Sequence, residues 1–138
     1  MLPLSLEQSL HVSKLCKNML LVDKSIICIS VVNKRGRIIE SEFRAGGLLW
    51  DLSDMELEML YMQRALQTSM IKELDGKHGC WNCTVTERDF VTEVLLPFCD
   101  GLIFVMLESG PVSRDLVAKL RRTVEEHLIL SKAGLILQ

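Results

Sequence analysis

No apolar run in this sequence approaches the roughly 20 residues that a membrane-spanning helix needs. Its most apolar region, residues 94–107, is interrupted by Pro97 and by Asp100-Gly101. Positive charge is not in excess either. The 138 residues carry a formal net charge of −2, and the pI is about 5.9. Salt-driven nucleic-acid binding and adhesion to anionic membranes both need a basic face, so neither partner is expected. The opening Met1-Leu2-Pro3-Leu4-Ser5 has neither the basic stretch nor the long apolar core of a signal peptide. The expectation is a soluble, cytoplasmic protein. Its five cysteines, an odd number without an export signal, are expected to be reduced thiols. Also missing are a G-x-S-x-G elbow, a glycine-rich phosphate loop and an H-E-x-x-H helix. With no catalytic constellation, the expectation is a non-enzyme without a cofactor.

What is present suits one globular domain over residues 1–138. The chain is 49% hydrophobic and 25% charged, which is globular rather than disordered. At this length folding can bury about two-thirds of the unfolded surface, so no staple is needed.

The stretch from Ser25 to Arg44 organises the rest. Residues 25–32, S-I-I-C-I-S-V-V, are apolar with almost no alternation. Residues 37–44, R-I-I-E-S-E-F-R, mix apolar and charged. Asn33-Lys34-Arg35-Gly36 between them suits a turn with Gly36 at positive φ. The pattern predicts a hairpin with a buried first strand and an exposed second one.

Before the hairpin, Ser5 and Gln8 fit a capping box. Leu6, Leu10, Leu15, Cys16, Met19 and Leu20 then recur at roughly helical spacing up to Asp23. After it, Ala45-Gly46-Gly47 breaks the chain and Leu48-Leu49-Trp50 forms an apolar loop. Ser53 and Glu56 make a second capping box, with Leu52 and Leu57 as a staple. This middle helix is expected to run to about Leu74, with Gly76 near its C-cap. It has two apolar stripes: Met55, Met59, Met62, Leu66 and Met70 on one side, and Leu57, Leu60, Tyr61 and Ile71 roughly opposite. A helix apolar on two sides is usually covered on two sides.

Three strand signals follow. Residues 80–86 alternate, with Trp81, Cys83 and Val85 on one face. Glu87-Arg88-Asp89 is a turn, residues 90–98 are the next strand, and Asp100-Gly101 is a hairpin signal. Residues 102–107 are wholly apolar. Pro111 or Ser113 starts a last helix. Leu116, Leu120, Val124 and Leu128 form its dry stripe, and Leu135-Ile136-Leu137 follow as an apolar tail.

The order is α-β-β-α-β-β-β-α. Strands buried on both faces read as continuous apolar runs, whereas half-exposed strands alternate. The first and fifth strands therefore belong at the centre and the second and third at the edges. This predicts an α+β fold: one five-stranded antiparallel sheet, order 2-1-5-4-3. PAS, GAF, profilin, longin and roadblock domains share this order. Continuous apolarity in the central strands favours helices on both faces, as in profilin- and roadblock-like domains.

The run S-I-I-C-I-S-V-V-N-K-R-G-R-I-I-E from Ser25, followed by M-L-Y-M-Q-R-A-L-Q-T-S-M-I-K-E-L from Met59, resembles a family of small archaeal proteins with no assigned activity. The resemblance spans roughly residues 15–120 and implies a fold, not a chemistry.

Cys80-Trp81-Asn82-Cys83 is the one motif that could carry chemistry, with His78 before it and Cys99 or Cys28 as further metal ligands. A single C-x-x-C is half a zinc site. On a strand, Cys80 and Cys83 would point to opposite faces. The pair also follows a helix rather than opening one, which does not lower a thiol pKa. His11 and His127 are scattered, and His127 falls near the dry stripe of the last helix. Lys34, Arg35 and Arg37 form a small basic tip that a solvated turn explains, though it could help dock an acidic partner. Asp54, Glu56 and Glu58 suit the first-turn dipole.

The Met stripe reads either as core or as an interface, because methionine makes adaptable surfaces. In roadblock-like domains this helix and the neighbouring edge strand commonly form the homodimer contact. By that resemblance the interface residues are Met55, Met59, Met62, Leu66, Met70, Trp81 and Cys83. The leading expectation is a homodimeric protein-interaction or regulatory module whose partner, by analogy, is a small GTPase or another signalling component. The alternative is a PAS/GAF-like small-molecule sensor with Leu48-Leu49-Trp50 and Trp81 lining its pocket. A third is a zinc- or redox-responsive protein using Cys80 and Cys83.

Overall fold

A computed structural model of the chain describes residues 6–44 and 52–130. Expectations for the Ser5 cap, the 45–47 break, the 48–50 loop and the apolar tail lie outside the described residues. The elements are α1 (Leu6–Leu20), β1 (Ile26–Val32), β2 (Ile38–Phe43), α2 (Asp54–Ile71), a 3-10 turn (Lys72–Leu74), α3 (Asp75–His78), β3 (Thr84–Glu87), β4 (Val91–Phe98), β5 (Gly101–Glu108) and α4 (Arg114–Leu130). The five strands make one antiparallel sheet in the order β2-β1-β5-β4-β3, as the sequence predicts.

The central strands divide their side chains between two cores. Ile29 and Val31 of β1, Ile103, Val105 and Leu107 of β5, and Val94, Leu96 and Phe98 of β4 pack under α1 and α4. Cys28 and Val32, Leu102, Phe104 and Met106, and Leu95 pack on the opposite face with Tyr61 and Ala65 of α2. Both faces are covered, which is why β1 is buried at every position while β2 is exposed or half-buried throughout. The register of β1 against β5 shifts between Ile26 and Cys28. That bulge lets two consecutive residues, Ile27 and Cys28, serve the α2 face.

The hairpin turn is held by Asn33. Its Oδ1 accepts from the backbone N–H groups of Arg35 (2.9 Å) and Arg37 (3.0 Å), and Gly36 takes φ +84°. Arg44, at the end of β2, donates to the carbonyl oxygens of Leu20, Asp23 and Ile26. It thereby places a cation on the C-terminal end of α1, where the helix dipole favours it.

Four boundaries differ from the sequence reading. Leu6 and Leu10 are 78% and 62% exposed; Val12 joins Leu15, Cys16, Met19 and Leu20 in the buried stripe of α1, and at about 100° per residue Leu6 and Leu10 fall on another flank. The helical segment after α2 continues through Gly76, and Gly79, at φ +91°, caps it instead. The expected strand over 80–86 begins only at Thr84, because Asp75 Oδ1 accepts from the Trp81 N–H and draws the backbone back toward α3. Phe90 lies in the turn before β4 and is exposed.

Candidate protein-interaction surface

The surface is built on α2, so the roll of that helix about its axis decides what it presents. Its N-terminus is set by the capping box: the Glu56 N–H donates to Ser53 Oγ at 3.2 Å and the Ser53 N–H donates to Glu56 Oε1 at 3.0 Å. Tyr61 then anchors the helix to the sheet. Its hydroxyl lies 2.7 Å from Ser30 Oγ on β1, which lies 3.2 Å from Ser41 Oγ on β2. Its ring meets Phe104 of β5 edge-on, with centroids 5.2 Å apart, a favoured aromatic geometry. Burial pushes the Tyr61 phenol pKa up, so at neutral pH it stays protonated.

One turn on, Arg64 reaches the other way. Its Nε donates to Glu93 Oε1 at 2.7 Å, and a terminal nitrogen donates to Oε2 at 3.3 Å. The side chains are only 12% and 3% exposed. A shielded pair of this kind constrains geometry strongly, because separating it strands a charge away from water. Tyr61 on β1 and β5 and Arg64 on β4 therefore leave α2 no freedom to roll.

With that roll, Met55, Met59, Met62, Leu66 and Met70 all face outward, each between 54% and 72% exposed. Among the described residues none buries this stripe. The opposite stripe is the one on the sheet: Tyr61 is buried, and Leu57 and Leu60 pack against its cluster. Ile71, at the end of α2, stays exposed. These five large apolar side chains recur every three or four residues and so form one continuous exposed stripe along α2. Met62 borders the β1–β2 hairpin: Gly36 approaches its backbone closely enough that no side chain fits between them.

Trp81 and Cys83 lie elsewhere. Trp81 is half-buried against the α2-face cluster, and its indole N–H donates to Thr84 Oγ1 at 2.8 Å. Cys83 packs on the opposite core, under α1 and α4. The expectation of a shared face for Trp81, Cys83 and Val85 fails because only Val85 lies in β3. Within β3 the residues alternate half-buried and exposed. Among the described residues β3 pairs only with β4, so its outer side is a sheet edge.

For metal chemistry, His78 and Cys80 are exposed and Cys83 is half-buried. Cys28 is buried between sheet and α2, and Cys99 packs at the far end of β4 against the α1/α4 core. Among the described residues no group of three or more His, Cys, Asp or Glu is placed to hold an ion. Burial pushes the Cys16 thiol up to about 12, and burial followed by the Asp100 carboxylate pushes Cys99 up to about 11. Neither is a thiolate at neutral pH. His127 is half-buried and bonds Asn18 at 2.9 Å; burial, then Lys14 and His11, holds its pKa below the usual value. No helix among the described residues is long and apolar enough to cross a membrane.

No family model and no curated protein matches the sequence. Solved structures do match the fold. MglB of Myxococcus xanthus is similar over 97% of both chains, at 14% identity and a TM-score of 0.70. A structure described as MglB with a tetrameric arrangement is similar over 97% of both chains, at 12% identity and a TM-score of 0.67. A Roadblock/LC7 domain from Streptomyces avermitilis is similar over 88% of this chain and 98% of its own, at 9% identity and a TM-score of 0.66. Identities this low speak to fold alone. With the strand order and the helices on both faces, they identify the architecture of this chain as the roadblock fold.

Proposed function

We propose that this chain is a non-enzymatic, homodimeric regulatory module that works in the cytoplasm by binding another protein, a small GTPase or a comparable signalling component. The exposed Met stripe of α2 carries the reading. An exposed apolar stripe is costly to leave in water, and methionine suits a surface that must adapt to a partner. The outer edge of β3 offers backbone donors and acceptors for a second strand. The tetrameric arrangement described for one MglB structure supports self-association on this fold. The hairpin and helix motifs support kinship with the archaeal family as part of the same proposal.

Light scattering behind a sizing column, over a concentration series, tests the reading. A dimer is expected, and Met59→Lys or Met62→Lys is expected to shift it to monomer with circular dichroism unchanged. A monomer at every concentration that also retains no protein partner would overturn it.

A further inference from the structure

A second exposed surface runs along α1, on the face of the sheet that α2 does not cover. Leu6, Leu10 and Leu21 are 78%, 62% and 80% exposed, and Lys14 and Lys17 between them are exposed as well. The five stand four, four, three and four residues apart. At about 100° per residue they fall within about 80° of one another, so they form one straight ridge about 22 Å long. Leu21 follows the last residue of α1, and its N–H donates to the Asn18 carbonyl at 3.1 Å, which carries the turn on to it. The ridge is leucine at its ends and lysine in its middle. Glu7 is the sole carboxylate of α1, and among the described residues neither lysine is in an ion pair. Glu40 and Glu42 of β2 act on Cys16, on the buried side of the helix. At the Leu21 end α4 adds Lys119 and Arg122, which share a groove with Val22, Thr123 and Glu126. Lys119 meets Asp115 at 3.5 Å with both side chains exposed, a contact worth little in water.

We propose that this ridge is a second docking surface, for an acidic amphipathic helix of another protein whose carboxylates lie between apolar residues at its two ends. Such a helix matches the ridge in both respects. Its carboxylates meet Lys14 and Lys17, and its apolar ends cover Leu6 and Leu10 on one side and Leu21 on the other. A second copy of this chain does not fit. Pairing the ridge with itself, parallel or antiparallel, sets lysine against lysine at the middle, where like charges repel. A bilayer fits less well than a helix. An anionic lipid surface asks for a broad cationic plane, and on the same side of the sheet α4 exposes Asp115, Glu125 and Glu126. The ridge and the Met stripe of α2 lie on opposite faces of the sheet, so occupying one leaves the other free.

The test is fluorescence anisotropy of the full chain with two labelled, alanine-based helical peptides. They are identical except that one carries glutamates and the other lysines between its terminal leucines. The chain is expected to bind the glutamate peptide about tenfold more tightly than the lysine peptide, with the difference shrinking at high salt. Lys14→Glu with Lys17→Glu, at two exposed positions, is expected to reverse the preference. Leu10→Ser with Leu21→Ser is expected to weaken both peptides. Met62→Lys on α2 is expected to change neither affinity, which separates this surface from the dimer contact read by light scattering. Equal affinities for the two peptides overturn the proposal, and so does a preference that the Lys14, Lys17 variant fails to reverse. Sedimentation with vesicles of four parts phosphatidylcholine to one part phosphatidylserine tests the lipid alternative. The chain is expected to stay in the supernatant; co-sedimentation that the Lys14, Lys17 variant loses would make a membrane the occupant and overturn the proposal.

Discussion

Gly36 and Met62 meet backbone to backbone. A β-carbon added at Gly36 would lie 2.6 Å from the Met62 Cα and 3.0 Å from its N. The hairpin tip and the middle of α2 are therefore held in contact by the absence of a side chain, at a residue whose φ of +84° already favours glycine.

Gly36→Ala is accordingly expected to destabilise the fold by about 2 kcal/mol or more, combining backbone strain with the clash. Urea unfolding measures it. Met62→Ala in the same chain is expected to give no rescue, because the crowded atoms belong to the Met62 backbone.

The Arg64–Glu93 pair should behave as a constraint more than as a source of stability. Glu93→Ala strands a shielded guanidinium and is expected to cost about 3 kcal/mol. Arg64→Met with Glu93→Leu is expected to recover most of that loss, because no charge is left behind. A double variant as unstable as the single one would show the pair to be a net stabiliser. Urea midpoints of the three chains decide it.

The thiols are expected to react in order of exposure and pKa. Cys80, exposed, should be alkylated first at pH 7.5. Cys99, with its pKa raised to about 11, should follow slowly, and Cys16, buried and near 12, only as the chain unfolds. Intact-mass and peptide mass spectrometry over time follow the order.

His127 links stability to pH. Its pKa lies below the ordinary 6.5 in the folded state, so the unfolded chain takes up this proton first. Stability from this group is complete above about pH 6.5 and falls as pH drops through that value toward the folded pKa. The charges around it are Lys14 and His11 from α1 and Glu126 beside it on α4. Thermal melts between pH 7.5 and 5.5 should show a smaller loss of Tm for His127→Gln than for the parent chain.

Much of this architecture can be read before any coordinates. β1 and β5 lack alternation because helices cover both of their faces, and that alone orders the sheet. The Ser53–Glu56 capping box and the Asn33–Gly36 turn are local hydrogen-bond patterns, legible because the partners lie within four residues. The errors fall where a distant partner intervenes. Asp75 takes the Trp81 amide and delays β3, and Gly76 sits within helix that continues to Gly79. Leu6 and Leu10 match helical spacing but not the flank that meets the sheet.

By itself the sequence determined the elements, their order and the presence of two apolar sides on α2, since these follow from periodicity and capping. Which side of α2 is dry was decided only by tertiary structure. Both stripes are equally apolar in one dimension; what separates them is the roll imposed by Tyr61 on Ser30 and Arg64 on Glu93, bonds between residues about 30 positions apart. Those bonds turn the methionines outward. The same long-range packing parts Trp81 from Cys83, neighbours in sequence that serve opposite faces of one sheet.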